Sequence, residues 1–525
     1  MPVQKFHNPI IPGYSPDPSV CRVGNDFYLV NSTFEFFPGV PIYHSKNLVN
    51  WELVGHCLTR ESQLPLRGCK NSGGIFAPTI RFHDGRFWMI TTNVTDKGNF
   101  IVHTEGDDVT GPWSEPAWID HQGIDPSVIW DDDGKCYYCG TGFNEDGQGI
   151  VLFEIDPMTG EILSDKKIIS HGCGGKCPEG PHIYKKDGYY YLMAAEGGTE
   201  YGHSETIQRS RDIWGPYEGC PHNPILTHSG IRGMGNEIQA TGHADIVDSP
   251  DGSSYLVCLG IRQYSHAMLH NLGRETFLAP VKWEEGWPIV GDNGVISLEP
   301  EFNLPGRVRP QNRDVTLDFA HDFSKHIMFT RNPDMDDYIL GKKSKSLTLR
   351  GHGRGLNEPQ ASPTIISIRQ PEFVSEYSAI LDLTKSNGTG MGISAYYNND
   401  YHYDMYVNFG EGPMGQAVNE LFFYKHIHDM GMVISRFQLP IDAKQIKLVI
   451  KSDRERYYFY YSVDEGALLY MGSGSNAGLS TEGTMTMTFT GTLFAAYCER
   501  GTAVFKDRIE LKADVDSHHE TELYE

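Results

Sequence analysis

A repeated strand–turn–strand pattern in the first 300 residues constrains the fold more than any other feature of this sequence. Each copy begins with a small, acidic or histidine residue, continues into an apolar strand and a polar hairpin tip, and ends in an aromatic strand. In three copies a turn glycine follows the start by the same interval of nine residues. The five starts are Asp17, Ala77, Asp125, Glu179 and His243, and the three turn glycines are Gly134, Gly188 and Gly252.

The spacing of the copies indicates an architecture. Successive starts lie 48 to 64 residues apart, which is close to the period of a four-stranded β-propeller blade. Asp187-Gly188 and Asp251-Gly252 stand between alternating apolar runs, where an Asp-Gly pair is a strong hairpin signal. The pattern therefore predicts a five-bladed β-propeller over residues 1–305. An irregular β-sandwich whose Asp-Gly turns coincide by chance is the alternative.

The second part of the chain lacks this repeat. A connector rich in proline and glycine occupies residues 300–316, and alternating runs such as Thr364–Arg369 and Ile446–Lys451 follow it. Alternation with a period of two predicts strands that are buried on one face. We therefore predict a C-terminal β-sandwich over residues 306–525 and an all-β fold class. The 57 glycines and the 12% aromatic content suit many short strands joined by tight turns.

Charge and targeting signals exclude several classes of partner. The 44 basic and 68 acidic residues give a net charge of −24, which would repel phosphate backbones and anionic membranes. The N-terminal residues carry no apolar leader-like run, and no apolar stretch approaches the ~18 residues of a membrane span. Ten cysteines in 525 residues is far below the density of a disulfide scaffold. We expect a cytoplasmic protein with reduced thiols that binds neither nucleic acid nor membrane.

Three of the five repeat starts are carboxylic acids, namely Asp17, Asp125 and Glu179. Equivalent positions of successive blades meet at one end of a propeller channel, so these groups should converge. Crowded carboxylates repel one another and are costly to desolvate, which makes a purely structural role a poor explanation. Glycoside hydrolysis needs one carboxylate as a base and one protonated carboxyl group as an acid. A neighbouring carboxylate keeps the acid protonated by like-charge repulsion.

Further motifs lie along most of the chain, at residues 15–19 (SPDPS), 32–40 (STFEFFPGV), 42–45 (IYHS), 72–78 (SGGIFAP), 179–184 (EGPHIY), 195–199 (AEGGT) and 272–276 (LGRET). Together these stretches resemble glycoside hydrolase family 43, in particular its two-domain β-xylosidases and α-L-arabinofuranosidases. The resemblance implies a propeller and a C-terminal sandwich, as the repeat also predicts.

The resemblance implies a role for each carboxyl group. Asp17 would be the general base that activates water, and Glu179 the general acid that protonates the leaving oxygen. Asp125 would raise the pKa of Glu179 and orient it. The family inverts configuration, so water must fit between the base and the sugar. Arg274 would bind sugar hydroxyls and offset the negative charge of the three acids.

The same resemblance implies apolar contacts to a pentose ring. Phe34, Phe36, Ile75 and Phe76 would form the walls, with blade core as the alternative role of the first two. The family usually has Ile-Trp-Ala-Pro where this chain has Ile75-Phe76-Ala77-Pro78, so stacking there should be weaker. A sandwich loop closes the funnel in such relatives, and Phe494 is the candidate contact.

His243 occupies the position that binds water around a central calcium ion in many relatives. A neutral histidine that fills the channel is the equally supported alternative. We expect no cofactor to be required, with a structural calcium ion in the channel as the one candidate. Large two-domain relatives often form dimers or tetramers, so a homo-oligomer is compatible with the resemblance.

The expected function is an exo-acting, inverting hydrolase that releases α-L-arabinofuranosyl or β-D-xylosyl groups from arabinoxylan- or arabinan-derived oligosaccharides. Blade 3 lacks the longer aromatic insertion of several dedicated xylosidases, which favours the arabinofuranosyl group. An endo-arabinanase of the same clan and a catalytically silent sugar-binding propeller remain alternatives. The invertases and levanases are another five-bladed family, and their middle motif carries an arginine before Asp-Pro. Here Ile124 precedes Asp125-Pro126, which argues against that family.

Overall fold

The computed structural model describes residues 3–231, 237–264, 268–411, 416–486 and 488–514, and these residues are almost entirely strand and turn. Among them, short 3₁₀ turns occur at Ser229–Ile231, Met335–Asp337, Asn476–Leu479 and Thr481–Gly483. No helix in the described part of the chain has the length and apolarity needed to span a bilayer. The all-β prediction is confirmed.

Five antiparallel sheets form the five blades of a propeller. A short strand β1 (Val3–Lys5) precedes blade 1, which contains β2 (Ser19–Val23), β3 (Asp26–Val30), β5 (Gly39–Ser45) and β6 (Glu52–Leu58), with β4 (Phe36–Phe37) between β3 and β5. Blade 2 contains β7 (Thr79–His83), β8 (Arg86–Asn93), β9 (Gly98–His103) and β10 (Ala117–Trp118). Blade 3 contains β11 (Ser127–Trp130), β12 (Cys136–Asn144), β13 (Gly147–Ile155) and β14 (Lys167–Ser170).

Blade 4 contains β15 (Glu179–Lys186), β16 (Tyr189–Glu196), β17 (Ser204–Ser210) and β18 (Glu218–Gly219), with β19 (Leu226–Thr227) paired to β17. Blade 5 contains β20 (Ile238–Asp248), β21 (Ser254–Arg262), β22 (Glu275–Glu284) and β23 (Trp287–Val290). The last propeller strand, β24 (Glu301–Asn303), pairs with β1 and joins the two ends of the propeller segment.

The hairpin signals in the sequence correspond to tight turns. Asp187 and Gly188 both have positive φ, at 50° and 75°, as a two-residue hairpin of the mirror-image type requires. Positive φ also recurs at three of the five repeat starts, Asp17 (52°), Asp125 (56°) and His243 (48°), the last of them at a register shift inside β20. This shared and strained backbone shows that the repeat register aligned structurally equivalent positions.

The C-terminal strands build a sandwich around a separate hydrophobic core. Its long last strand, β38 (Leu493–Ala513), pairs with strands of both layers and ties them together. The strands are β25 (Val315–Asp318), β26 (Phe329–Thr330), β27 (Tyr338–Gly341), β28 (Ser346–His352), β29 (Thr364–Arg369), β30 (Ser375–Asp382), β31 (Asn387–Asn398), β32 (Tyr401–Glu411), β33 (Ala417–Ile427), β34 (Met430–Leu439), β35 (Gln445–Ser452), β36 (Arg456–Val463), β37 (Leu469–Ser475) and β38 (Leu493–Ala513).

Buried polar contacts hold the sandwich against the propeller. The Arg262 guanidinium is fully buried and donates to Glu275 of blade 5 at 2.7 Å and to Glu372 of the sandwich at 2.6 Å. Strand β26 pairs with β4 of blade 1, which places sandwich residues beside Phe36. Such charges are tolerated in an interior only when they are paired, so this contact fixes the relative position of the two units.

Candidate active site

A pocket of about 250 Å³ opens at the end of the propeller where the innermost strands begin. All three carboxyl groups predicted from the sequence lie on its wall, together with Phe489 of the sandwich. The lining residues are Asp17, Phe34, Phe76, Ala77, Ile124, Asp125, Lys176, Cys177, Glu179, Gly198, Thr199, Glu200, His243, Arg274 and Phe489.

Asp17 is buried and held from both sides of its carboxylate. One oxygen, Oδ1, accepts a hydrogen bond of 3.0 Å from Arg274 Nη1, and the other, Oδ2, accepts one from the Ser32 hydroxyl. The Asn31 side chain donates to the carbonyls of Ser15 and Pro16 at 3.0 and 2.8 Å, which fixes the strained turn before Asp17. The orientation of this carboxylate is therefore set by the surrounding structure, as a catalytic group requires.

Glu179 is the first residue of β15, where a register shift lets its side chain turn towards the pocket. Burial and the nearby charge of Asp17 raise the pKa of Glu179 to about 7, against the opposing effect of Arg274. A carboxyl group with this pKa is protonated in a large fraction of molecules at neutral pH. It can therefore donate a proton, which is the property that a general acid needs.

Asp125 lies in the turn before β11, and hydrogen bonds on both sides hold that turn in place. The backbone N–H of Ile124 donates to Thr141 Oγ1 at 2.7 Å, and Thr79 donates to the carbonyl of Pro126 at 2.9 Å. Burial, followed by the charges of Glu179 and Asp17, raises the pKa of Asp125 well above its ordinary value. Asp125 and Glu179 thus repel each other as anions, which disfavours ionisation of both at once.

Arg274 brings a positive charge to the three acids. Its guanidinium donates to Asp17, to Thr199 Oγ1 at 2.9 Å and to the carbonyl of Phe489 at 3.3 Å. The side chain is buried and lies over the rings of Phe34 and Phe489, at 5.6 and 5.3 Å from their centroids. Arg274 therefore links Asp17, a loop of blade 4 and the sandwich.

The aromatic wall consists of Phe34, Phe76 and Phe489. The Phe34 ring stacks on Phe489 at 5.4 Å, and Phe76 contacts both rings edge-on at 5.3 and 5.8 Å. Phe489 comes from the sandwich, so the second domain closes one side of the pocket. The prediction that Phe494 makes this contact is wrong, because Phe494 is fully buried in the sandwich core and stacks on Tyr377 at 5.4 Å.

A signal in the sequence distinguishes the two phenylalanines. Phe494 lies in the apolar run 493–497 (LFAAY), which is typical of a strand with buried side chains, whereas Phe489 stands between Thr488 and Thr490. A lone aromatic residue in a polar loop is the better candidate for a pocket contact.

Phe36 and Ile75 also differ from the sequence prediction. Both side chains are fully buried and neither lines the pocket. Phe36 packs against Tyr14 at 5.7 Å in a core shared by the propeller and the sandwich, so it is a core residue, although not of the blade core that was the alternative. Ile75 supports the wall through its backbone, since it exchanges hydrogen bonds of 2.9 and 3.1 Å with Phe34.

The loop before β15 supplies Lys176 and Cys177, which the sequence analysis missed. Buried Glu196 organises this loop by accepting backbone N–H bonds from Cys173 and Gly175 at 2.6 and 2.5 Å. Gly197 then donates to the carbonyl of Lys176 at 2.8 Å. The sequence signal was the 195–199 stretch (AEGGT), whose acid and glycines hold the neighbouring loop in place.

His243 is buried, with Nδ1 3.8 Å from Asp17 Oδ1, and its ring lies over Gly180, where an added Cβ would be 2.8 Å from Nε2. Burial, together with Arg274, lowers its pKa against the opposing charge of Asp17, so the ring is neutral near pH 7. Deeper in the channel, Arg81 Nη1 pairs with the fully buried Asp245 at 2.8 Å.

This arrangement bears on the candidate calcium site. Asp245 also accepts from Ser19 and Tyr184, both at 2.7 Å, so its oxygens are already occupied. Within the described ranges, no three His, Cys, Asp or Glu side chains gather as a metal site. Asp245 therefore has no free oxygen for a directly coordinated calcium ion, whereas a calcium ion bound through water beside His243 stays a prediction.

Comparison with known proteins decides the family. A family model described as "Glycosyl hydrolases family 43" matches residues 6–288, and one described as "Beta xylosidase C-terminal Concanavalin A-like domain" matches residues 317–512. The chain belongs to glycosyl hydrolase family 43. This family-43 chain is therefore a glycosidase, and the match supports the propeller and the sandwich independently.

Individual relatives agree with this assignment over three quarters of the chain or more. The family-43 chain is 40% identical over 499 residues to "Non-reducing end alpha-L-arabinofuranosidase BoGH43B" of Bacteroides ovatus, covering 94% of this chain and 91% of the relative. It is 41% identical over 419 residues to "Xylosidase/arabinosidase" of Butyrivibrio fibrisolvens, covering 76% and 79%. The solved structure "Bacteroides ovatus Xyloglucan PUL GH43B" superposes with a TM-score of 0.88 at 38% identity, covering 97% of this chain and all of the other.

Proposed function

We propose that this family-43 glycosidase removes single terminal pentoses from arabinoxylan- or arabinan-derived oligosaccharides, with inversion of configuration. The α-L-arabinofuranosyl group is the preferred substrate, and β-D-xylosyl is a second one. The observation that carries the proposal is a small pocket containing three carboxyl groups and closed on one side by Phe489 of the sandwich.

The dimensions of the pocket favour exo action. A volume of about 250 Å³ lies below the ~300–1,000 Å³ of sites that take drug-sized ligands, so one sugar ring suits it better than a chain. The Phe489 loop stands where an endo-acting enzyme would need an open cleft along the propeller face. The pocket therefore favours exo-cleavage over the endo-arabinanase alternative.

The contacts of the acids support a division of labour. Asp17 would accept a proton from the attacking water, because its carboxylate is held by the donors Arg274 and Ser32. Glu179, with its pKa raised to about 7, would protonate the leaving oxygen. Because the raised pKa of Glu179 comes from burial and the charge of Asp17, Asp125 would act by orienting Glu179 and by binding the sugar ring beside it. Arg274 would bind a sugar hydroxyl and limit the repulsion among the acids.

Two observations support the choice of sugar. The relative with 40% identity is named an α-L-arabinofuranosidase that acts at the non-reducing end, and another is named for both xylosidase and arabinosidase activity. The Phe34, Phe76 and Phe489 rings offer an apolar wall against which a small furanose can pack.

The experiment is a comparison of kcat/KM for 4-nitrophenyl α-L-arabinofuranoside and 4-nitrophenyl β-D-xylopyranoside, with the Asp17→Asn variant as a blank. We expect hydrolysis of both, with the arabinofuranoside faster. Turnover of neither substrate, or equal sugar binding by wild type and Asp17→Asn without any hydrolysis, would favour the silent sugar-binding alternative. Rapid loss of viscosity of linear arabinan would favour endo action.

A further inference from the structure

A second pocket, of about 360 Å³, lies where the propeller, the connector and the sandwich meet. It shares no lining residue with the catalytic pocket. Tyr14 lies between the two, because its ring is 6.3 Å from that of Phe34 and the Arg369 guanidinium is 5.6 Å from its centroid on the other side. We call this space the junction pocket. The lining residues that matter below are Tyr43, Trp51, Arg309, Arg313, Asp314 and Arg369.

Hydrogen bonds between the connector and the propeller fix the wall of the junction pocket. The Gln311 side chain donates to the carbonyl of His7 at 3.0 Å and accepts from the N–H of His7 at 3.1 Å. The Asn50 side chain accepts from the N–H of Arg309 at 2.9 Å and donates to its carbonyl at 3.1 Å. The pocket is therefore formed before any ligand arrives, which lowers the entropic cost of binding.

The junction pocket carries positive charge that the protein does not neutralise. Of the three arginines on its wall, Arg313 pairs with Glu372, whereas no carboxylate among the described residues pairs with Arg309 or Arg369. Asp314 is the one acid among the described lining residues, and it forms no ion pair with these arginines. Two unpaired guanidinium groups in one pocket stand out in a chain with 68 acidic and 44 basic residues. Guanidinium groups bind carboxylates and phosphates through paired hydrogen bonds.

Two aromatic side chains form an apolar part of the same wall. Trp51 is half-buried, and its Nε1 donates to the carbonyl of Leu48 at 2.8 Å, which fixes the ring. Tyr43 is almost fully buried beside it on the pocket lining. Fixed aromatic surfaces with a few polar groups are typical of small-molecule sites. The junction pocket is larger than the catalytic pocket of about 250 Å³, so it has room for a sugar ring with an added anionic group.

We propose that the junction pocket binds an anionic sugar, that is, a single sugar ring that carries a carboxylate or a phosphate group. The ring would lie against Trp51 and Tyr43, and the anionic group would bind Arg309 and Arg369. Arg369 Nε also donates to the carbonyl of Tyr14 at 2.5 Å, so the ligand would lie next to the segment that leads to Asp17. This second site goes beyond the hydrolysis of pentosides and does not depend on which pentose is released.

The test is isothermal titration calorimetry of the full chain with four probes: D-glucuronate, D-glucose 6-phosphate, D-glucose and inorganic phosphate. We expect at least one of the two anionic sugars to bind at least tenfold more tightly than both glucose and phosphate. Glucuronate as the tighter ligand would assign a carboxylate, and glucose 6-phosphate a phosphate. Saturating L-arabinose should leave this binding unchanged, because arabinose would occupy the catalytic pocket instead.

A pair of variants on the same connector locates the site. Arg309→Glu replaces an exposed side chain that makes no contact with the described residues, and it should weaken binding of the anionic sugar at least tenfold. The matched control is Arg307→Glu, because Arg307 is also exposed but does not line the pocket. A thermal melt of each variant checks that it is folded.

Several results would overturn the proposal. These are the absence of binding, displacement of the anionic sugar by arabinose, and equal affinities of the Arg309→Glu and Arg307→Glu variants. A chain that ends at Asp514 provides one more check, because residues 515–525 include four acidic side chains. Binding that appears only in this shortened chain would make the acidic C-terminal segment the occupant and would also contradict the proposal.

Discussion

Phe489 of the sandwich stacks on Phe34 of the propeller, with ring centroids 5.4 Å apart and an interplanar angle of 30°. The catalytic pocket is therefore completed by a residue from outside the catalytic domain. Arg274 lies against both rings and donates to the carbonyl of Phe489, so the aromatic pair is tied to the group that holds Asp17. The position of the second domain thereby affects the chemistry of the first.

Removal of this contact should weaken substrate binding without unfolding the protein. We expect Phe489→Ala to lower kcat/KM by about tenfold, because an aromatic contact contributes about 0.5–1.5 kcal/mol beyond its buried area. Phe489→Leu keeps an apolar wall and should lose less. Steady-state kinetics with the aryl arabinofuranoside, accompanied by a thermal melt, measures both effects. Unchanged kcat/KM in Phe489→Ala would show that the ring does not face the sugar.

The general-acid role of Glu179 predicts a dependence on the leaving group. Glu179→Ala should reduce kcat by about 10²–10⁴-fold on natural oligosaccharides, whose leaving alcohols need protonation. The kcat of the same variant should fall far less on aryl glycosides of acidic phenols, because these phenols leave as phenolates without being protonated. In the wild type, kcat/KM should fall as pH rises through about 7, because Glu179 must be protonated to act. Equal losses on both substrates would contradict the assignment.

The raised pKa of Glu179 also predicts how stability depends on pH. The folded protein holds this proton up to a pH of about 7, whereas the unfolded chain releases it near its ordinary value of about 4.5. The folded state therefore binds more protons in this window, and its stability falls as pH rises through it. Glu179→Gln removes the free-energy cost of burying an ionised carboxylate at this position. The Tm of this variant should therefore exceed that of the wild type by about 2–5 °C at pH 8 and by less at pH 5. A Tm difference independent of pH would refute this account.

Much of this arrangement follows from the sequence because the repeat is regular. Asp17, Asp125 and Glu179 could be brought together from their shared register alone, since blades repeat around one axis. Phe489 could not, because a loop of the sandwich reaches the pocket only through packing between the domains. The family resemblance predicts Phe36 and Ile75 on the wall beside Phe34 and Phe76. Ile75 instead turns into the core because it alternates with Phe76, whereas the positive φ of Phe34 (47°) breaks the extended backbone before Phe36 and so separates the directions of the two rings.

The pairing of Arg81 with Asp245 in the channel predicts independence from metal. Activity should be unchanged after dialysis against a chelator, since the Arg81 guanidinium already supplies the counter-charge of Asp245. Loss of activity on chelation, with recovery on addition of calcium, would contradict this interpretation.

The same pair should be important for stability. Arg81→Met leaves the carboxylate of Asp245 buried without a counter-charge, which should cost about 3–5 kcal/mol of unfolding free energy. The double variant Arg81→Met/Asp245→Asn should recover part of that loss, because it no longer buries an unpaired charge. Denaturant titration measures both. A double variant less stable than Arg81→Met would show that Asp245 is held by other groups.

The central claim is that Asp17 and Glu179 act in a single displacement, in which water attacks the anomeric carbon while the leaving oxygen is protonated. Proton NMR of the first sugar released from an aryl α-L-arabinofuranoside tests this directly, before the anomers equilibrate. The account predicts that the β anomer appears first. Initial release of the α anomer would reveal a double displacement through a covalent intermediate and would contradict the account.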